Sequence, residues 1–204
     1  MLLEAKNISF RYGKGPWILK DVNLKMSVYE RVCLTGPSGY GKTTLSQILA
    51  GYIQPTLGEV LLNGEPLPMR GYCPVQLIYQ HPEKALNPRW RLRDFLQEAW
   101  IPDDKILSDL GIEKAWFDRF PNELSGGEMQ RFCIARVLCP QTKFLLADEI
   151  STMLDVITQA QIWNTLLEII KEREMGLIAI THNKELSNRI CTRSEDLRSL
   201  NHID

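Results

Sequence analysis

Across residues 2–28 apolar and polar side chains alternate, the pattern of half-buried antiparallel strands. Further on, the alternation gives way to short apolar runs. Val32-Cys33-Leu34-Thr35, Phe144-Leu145-Leu146-Ala147 and Leu177-Ile178-Ala179-Ile180-Thr181 read as strands buried in a parallel sheet covered on both faces. Glu59 to Gly64 reads as a strand ending in a tight Asn-Gly turn. Between these runs the period changes to that of a helix. Thr44 to Ala50 places Leu45, Ile48 and Leu49 on one face, with Gly51 at the stop. A second helix follows Ser125, with Met129, Phe132, Cys133 and Val137 on one side and Pro140 closing it. The third, Val156 to Glu174, is expected to present Val156, Ala160, Trp163, Leu167 and Ile170 to the sheet, with Gly176 ending it. Residues 81–140 read as a helical insertion opened by a loop containing Pro82 and Pro88.

Composition narrows the setting. At 204 residues the chain suits one well-cored domain with a small insertion. A net charge of −1 leaves no polybasic footprint, so no nucleic-acid partner is expected. No apolar run approaches the ~18 residues that span a bilayer, and Met1-Leu2-Leu3-Glu4 reads as a strand start, not a signal peptide. Any membrane role is then expected through partner chains. The five cysteines are odd in number and scattered, without a C-x-x-C pair, as in reduced cytosolic thiols. Of Trp90, Trp100 and Trp116, at least one is expected to face a partner, since small insertion helices bury three indoles poorly.

The candidate chemistry begins at the first buried strand. Gly36-Pro37-Ser38-Gly39-Tyr40-Gly41-Lys42-Thr43, continued by Thr44, fits G-x-x-x-x-G-K-[ST] between a strand and a helix. The glycines let backbone N–H groups approach phosphate, and the helix start adds unpaired donors and a favourable dipole. Lys42 is expected to reach the outer phosphates and Thr43 to ligate Mg²⁺; Tyr40 is expected to point to solvent. Asp148 and Glu149 end an apolar strand, where ligands of such sheets bind. Asp148 is placed to hold Mg²⁺ and Glu149 to polarise an attacking water. Ser125-Gly126-Gly127-Glu128 makes a second helix start suited to phosphate, with Ser125 as its cap. His182 follows another strand, where a terminal phosphate could be sensed.

In this order the motifs resemble the nucleotide-binding subunit of an ATP-binding cassette (ABC) transporter, over nearly the whole chain from Leu3 to about Cys191. The resemblance implies that Tyr12 stacks on adenine and that Gln80 touches Mg²⁺ and the water. It makes Ser125 to Glu128 the signature loop and His182 the switch histidine. Ser151 to Asp155 matches a loop crossing between subunits, with Asp155 its acid. It implies ATP and Mg²⁺ as cofactors, and a head-to-tail pair of cassettes, identical or paralogous. Polytopic permease subunits, an extracytoplasmic solute-binding protein and a peripheral place at the cytoplasmic face of the membrane complete the implied setting. Leu86-Asn87-Pro88-Arg89 and Glu123 to Arg131 are similar to ATPase subunits of oligopeptide, dipeptide and nickel importers.

The fold expected is α/β: a P-loop NTPase core with a mostly parallel sheet, an N-terminal antiparallel β subdomain and a small α-helical insertion subdomain. The core is assigned to residues 1–80 and 141–191, the insertion with the signature to 81–140, and a polar tail to 192–204. The chain departs from the family at Asn183, where an acid is usual, at Thr152-Met153, and in the tail, where further strands are normal. A soluble ABC-type ATPase and a non-hydrolysing nucleotide-binding module are the competing readings. Against the first stand the lack of a long coiled-coil insertion or a second cassette, and against the second the intact set Lys42, Asp148, Glu149 and His182. Permease docking is expected on Gln80 to Trp100, where Arg89, Trp90, Arg91 and Arg93 offer donors and an aromatic anchor.

Overall fold

A computed structural model describes residues 1–150 and 154–203. The chain runs through β1 (Leu2–Phe10), β2 (Leu19–Ser27), β3 (Arg31–Thr35), α1 (Lys42–Leu49), β4 (Leu57–Leu62), β5 (Glu65–Pro66) and β6 (Val75–Ile78). It continues with α2 (Leu92–Gln97), α3 (Asp104–Asp109), α4 (Gly126–Val137), β7 (Phe144–Asp148) and α5 (Val156–Glu172). Last come β8 (Gly176–Ile180), α6 (Lys184–Ile190), β9 (Arg193–Asp196) and α7 (Leu197–Leu200). Two compact units result: Met1–Leu77 with Lys143–Asp148 and Glu174–Asp204, and Ile78–Thr142 with Glu149–Arg173.

The first unit holds both sheets. An antiparallel sheet of order β2-β1-β4-β5 uses the alternating N-terminal strands, and Asn63 and Gly64, both at positive φ, make the tight turn between β4 and β5. The other sheet has the order β6-β7-β8-β3-β9, with parallel pairs β7–β8, β8–β3 and β3–β9. Strands β7 and β8 are buried at every residue, which is what their unbroken apolar runs require. The tail expected to be merely polar instead forms β9 at the edge of this sheet, paired to β3 from Val32↔Arg193 to Thr35↔Asp196. Backbone bonding holds an edge strand whatever its side chains, so Arg193-Ser194-Glu195-Asp196 carries no apolar signal.

The second unit is helical. Its core gathers around Phe132, which is fully buried, with the Phe117 ring centroid at 5.8 Å and that of Trp116 at 6.5 Å. The carbonyls at the end of α4, orphaned by the helix geometry, are met by side chains. Trp100 Nε1 donates to both Ala135 O and Arg136 O at 3.0 Å, and Arg173 Nη1 to Leu138 O at 2.7 Å. Trp100 and Trp116 are thus spent inside the unit, and Trp90, 40% exposed, is the indole left facing outward. Helix α5 groups with this unit, and its buried stripe is Ile162, Trp163, Leu166, Ile169 and Ile170. That corrects the expected face: Val156 is 79% exposed, because the first turn of α5 carries apolar residues that the unit does not cover. The Cys133 thiol is pushed up to about 12 by burial, as suits a reduced core cysteine.

Candidate functional site

Strand β3 delivers the chain into the phosphate loop and α1 takes it away. Gly41 is the N-cap of α1 at φ 97, and no side chain caps the helix, so its first N–H groups stay open to a ligand. A Cβ at Gly41 would lie 2.9 Å from Leu19 Cδ2, so only glycine fits there. Pro37, Ser38, Gly39 and Thr43 are exposed, while Tyr40 and Thr44 are half-buried. The expectation of a solvent-pointing Tyr40 is therefore only partly met, because the ring is partly covered by its own unit. Lys42 is 7% exposed, and its Nζ donates to Gly36 O at 2.8 Å and Pro37 O at 2.9 Å. The ammonium is thereby held against the loop that it is expected to serve.

Sheet register places the other polar groups of this unit. Asp148 pairs with Ile180, and Ile180 with Leu34, so the three form one row across β7, β8 and β3. Adjacent strands lie about 4.8 Å apart, so β7 and β3 are separated by roughly 10 Å at this level. Asp148, 4% exposed, closes β7; Thr181 and His182 follow β8; Thr35 and Gly36 follow at the end of β3. All three lie at the carboxyl edge of one sheet, where ligands of parallel sheets bind. His182 is exposed on a short turn. Thr181 Oγ1 accepts from Asn183 N at 3.1 Å, and Asn183 Oδ1 accepts from Leu186 N at 3.1 Å to cap α6. The unusual Asn183 does the capping work that an aspartate would do. Tyr12 is 60% exposed, its ring standing edge-on to Phe10 at 4.9 Å, which leaves a face open for stacking.

The second unit carries Gln80, Glu149 and the signature stretch. Gln80 Nε2 donates to Glu149 Oε2 at 2.9 Å. Glu149 has φ 49, a left-handed conformation that costs a non-glycine residue on the order of 1 kcal/mol and that clusters at functional sites. Ser125 caps α4 in a reciprocal box: Glu128 N donates to Ser125 Oγ at 3.3 Å, and Ser125 N to Glu128 Oε2 at 2.6 Å. The backbone N–H of Ser125 holds the Glu128 carboxyl below its ordinary range. Asp155 caps α5, accepting from Ile157 N and Thr158 N, each at 3.0 Å. A cavity of about 400 Å³ is lined by the starts of both helices, with Ser125, Gly126 and Gly127 from one and Asp155 and Thr158 from the other. Arg131 and Trp116 also line it. Neither was singled out for this site from sequence; Arg131 had a signal, since it sits two turns into the helix that the signature starts. Ser151, Thr152 and Met153 lie outside the described residues, so of the predicted crossing loop only Leu154 and Asp155 are placed.

A phosphate loop on a parallel sheet, an acidic pair at the end of the strand two places away in that sheet and a second glycine-rich helix start together define a P-loop ATPase. The family described as ABC transporter matches residues 19–152. The metal-staphylopine import system ATP-binding protein CntF of Staphylococcus aureus is 32% identical over 196 residues, covering 89% of this chain and 78% of that protein. The nickel import system ATP-binding protein NikE of Staphylococcus aureus is 31% identical over 205 residues, covering 94% and 84%. Among solved structures, a dimeric ATP-binding cassette in a post-hydrolysis state bound to ADP and Pi is similar with TM-score 0.81 at 25% identity, covering 95% of this chain and 93% of that one. CbiO1 from Clostridium perfringens, part of the ABC transporter complex cbiONQ, shares the fold with TM-score 0.75 at 24% identity, covering 95% and 83%. This chain belongs to the ABC transporter ATPase family.

Proposed function

We propose that this chain hydrolyses ATP to power a membrane importer whose cargo is nickel, a metal chelate or a peptide. The cargo class rests on similarity to the nickel and metal-staphylopine import proteins and on the Leu86-Asn87-Pro88-Arg89 stretch. The observation that carries the reading is the presence in one chain of two glycine-rich helix starts of different construction. Helix α1 is uncapped behind a lysine-bearing loop, whereas α4 is closed by a Ser-Glu box and opens on a cavity. In a head-to-tail pair of cassettes the first would hold a nucleotide and the second would complete the partner's site. Val156 and Ile157, 79% and 72% exposed beside Asp155, suit an interface with a second copy or paralogue.

Within that reading the residues divide the work. Gly36 to Thr44 would cradle the phosphates through backbone N–H groups, with Lys42 neutralising charge. Thr43 Oγ1 and the Asp148 carboxylate are hard oxygens of the kind Mg²⁺ takes, in the small number it takes from protein, and the family resemblance gives Gln80 a role toward the same ion. Magnesium would supply charge neutralisation at the phosphate oxygens. Glu149, aimed by Gln80, would accept the proton of the attacking water. His182 would donate to the terminal phosphate and Tyr12 would stack on adenine. Among the described residues no helix is long and apolar enough to cross a membrane, so the reading needs polytopic permease subunits. It puts the chain at the cytoplasmic face, with a solute-binding protein on the far side. Co-purification with the permease and ATP-dependent uptake of radiolabelled nickel or peptide by the assembled complex test it. ATP turnover without any membrane partner would favour the soluble ATPase instead.

A further inference from the structure

The C-terminal residues fold against the phosphate loop at both of its ends. At the first, β9 runs parallel to β3 in register Thr35↔Asp196, and Thr35 Oγ1 donates to Glu195 O at 3.2 Å. The chain then turns into α7 beside Gly36. A Cβ placed on Gly36 would lie 3.5 Å from Asp196 Oδ1 and 3.6 Å from Leu197 Cβ. At the other end, Gly41 packs on Ile18, whose carbonyl accepts from Asn201 Nδ2 at 3.0 Å. Asn201, 3% exposed, also accepts from Lys20 N at 2.8 Å, and His202 N donates to Lys20 O at 3.0 Å. Asp196 through Asn201 therefore forms a strap that supports both termini of the loop.

The strap brings charge with it. Asp196 Oδ1 stands over Gly36, the residue whose carbonyl also binds Lys42 Nζ. A bare carboxylate there would compete for Lys42 and repel a triphosphate. It is not bare: Arg198 donates through Nε to Oδ1 at 3.2 Å and Oδ2 at 3.0 Å, and through Nη2 to Oδ2 at 2.5 Å. We propose that the Asp196–Arg198 pair is a positioning device for the phosphate loop, in which Arg198 cancels the carboxylate that holds the strap and so keeps Lys42 and the loop receptive to a nucleoside triphosphate. Asp196 is needed in the strap because it caps α7, accepting from Arg198 N at 3.0 Å. Arg198 is needed because that cap sits next to a phosphate site. The carboxyl of Asp196 is lowered chiefly by its bonds to Arg198 and, more weakly, by the charge of Lys42, as the geometry requires.

The inference rests on residues 36–43 being the ATP site. Its test is MgATP, MgADP and MgAMP affinity of the full chain by calorimetry at low and high salt. Arg198→Gln should weaken MgATP by about two- to fivefold at low salt, the scale of exposed ion pairs. The loss should shrink from ATP to ADP to AMP and fade at about 0.5 M salt as screening sets in. Arg198→Lys should keep the wild-type affinity. Asp196→Asn, which preserves the cap, should reverse the loss when combined with Arg198→Gln. Equal MgATP affinity of wild type and Arg198→Gln at low salt would overturn the proposal. So would a loss that neither salt nor Asp196→Asn relieves, since that would mark a purely structural role. Lys42→Ala run alongside separates the two levels: if it binds MgATP normally the ATP-site reading fails too, whereas if it loses binding while the Arg198 series stays flat, only the positioning role fails.

Discussion

Lys42 and Glu149 are held by contacts that suit their assigned chemistry. The lysine is parked on Gly36 O and Pro37 O, so its ammonium is already desolvated and aligned along the loop. Lys42→Ala should abolish tight ATP binding, since no other residue of the loop carries a positive charge. Calorimetry checks this, and unchanged affinity would remove the loop from the site. Glu149 is held in a left-handed conformation and bonded by Gln80, both of which restrict where its carboxylate can go. Glutamine at this position can still accept from Gln80 but cannot take a proton. Glu149→Gln should therefore retain ATP binding and slow turnover at least ~100-fold in a steady-state phosphate-release assay. Turnover at the wild-type rate would move the base elsewhere, with His182 the first residue to try.

Helix α4 shows how one short stretch serves stability and function together. Its Ser125–Glu128 box closes two orphan donors, and Ser125→Ala should cost about 1 kcal/mol in denaturant unfolding. The Glu128 carboxyl is depressed below its ordinary 4.5 by the Ser125 backbone N–H. A depressed carboxyl stabilises the fold fully above its unfolded value, and that share is lost as pH falls through the folded one. The melting-temperature gap between wild type and Glu128→Gln should thus be constant at neutral pH and close on acidification below the ordinary glutamate range. A gap that stayed open at low pH would mean that the box acts through shape and not through charge. At its other end α4 relies on Trp100, a residue far in sequence, to satisfy its last carbonyls. Local pattern shows where the helix begins far better than it shows what completes its end.

For the whole assembly the tests concern partners. Ser125→Arg should leave ATP binding by the isolated chain nearly intact while abolishing hydrolysis in the assembled complex, because Ser125 is assigned to the opposite subunit's nucleotide. A mixed complex with one mutant cassette, assayed site by site, should show the defect at the partner's phosphate loop; loss of binding in the lone chain would indicate a site built within one chain. On the segment proposed for permease docking, Gln80 to Trp100, the basic residues differ in how they are held. Arg91 donates to Asp118 O and lies 5.1 Å over the Phe120 ring, and Arg93 bonds the Asp118 carboxylate, so both are engaged inside their own unit. Trp90, 40% exposed, and the exposed Arg89 remain as surface anchors. Trp90→Ala with Arg89→Ala should leave nucleotide binding unchanged and reduce membrane recruitment or transport. Normal transport by that double variant would place docking on other residues.

The division between what could be read and what could not follows the range of the interactions involved. The phosphate loop, the buried strands β3, β7 and β8, the Asn63-Gly64 turn and the Ser125 cap were legible because each depends on residues within a few positions of one another. Period and turn chemistry act over that distance, and they sufficed to set the order of the elements and the residues at their ends. The face that α5 buries was legible only in part: Trp163 and Ile170 are buried as expected, but Val156 lies in a first turn that its unit leaves uncovered. Strand β9 was hidden because backbone pairing to β3, not side-chain hydrophobicity, makes it a strand. The engagement of Arg91 and Arg93 by Asp118, and the placing of Asp196 beside Gly36, bring together residues far apart in the chain. Local chemistry thus determined which groups are candidates for holding a nucleotide, while long-range packing alone decided which charges stand beside them, because those contacts exist only once distant segments have been brought together.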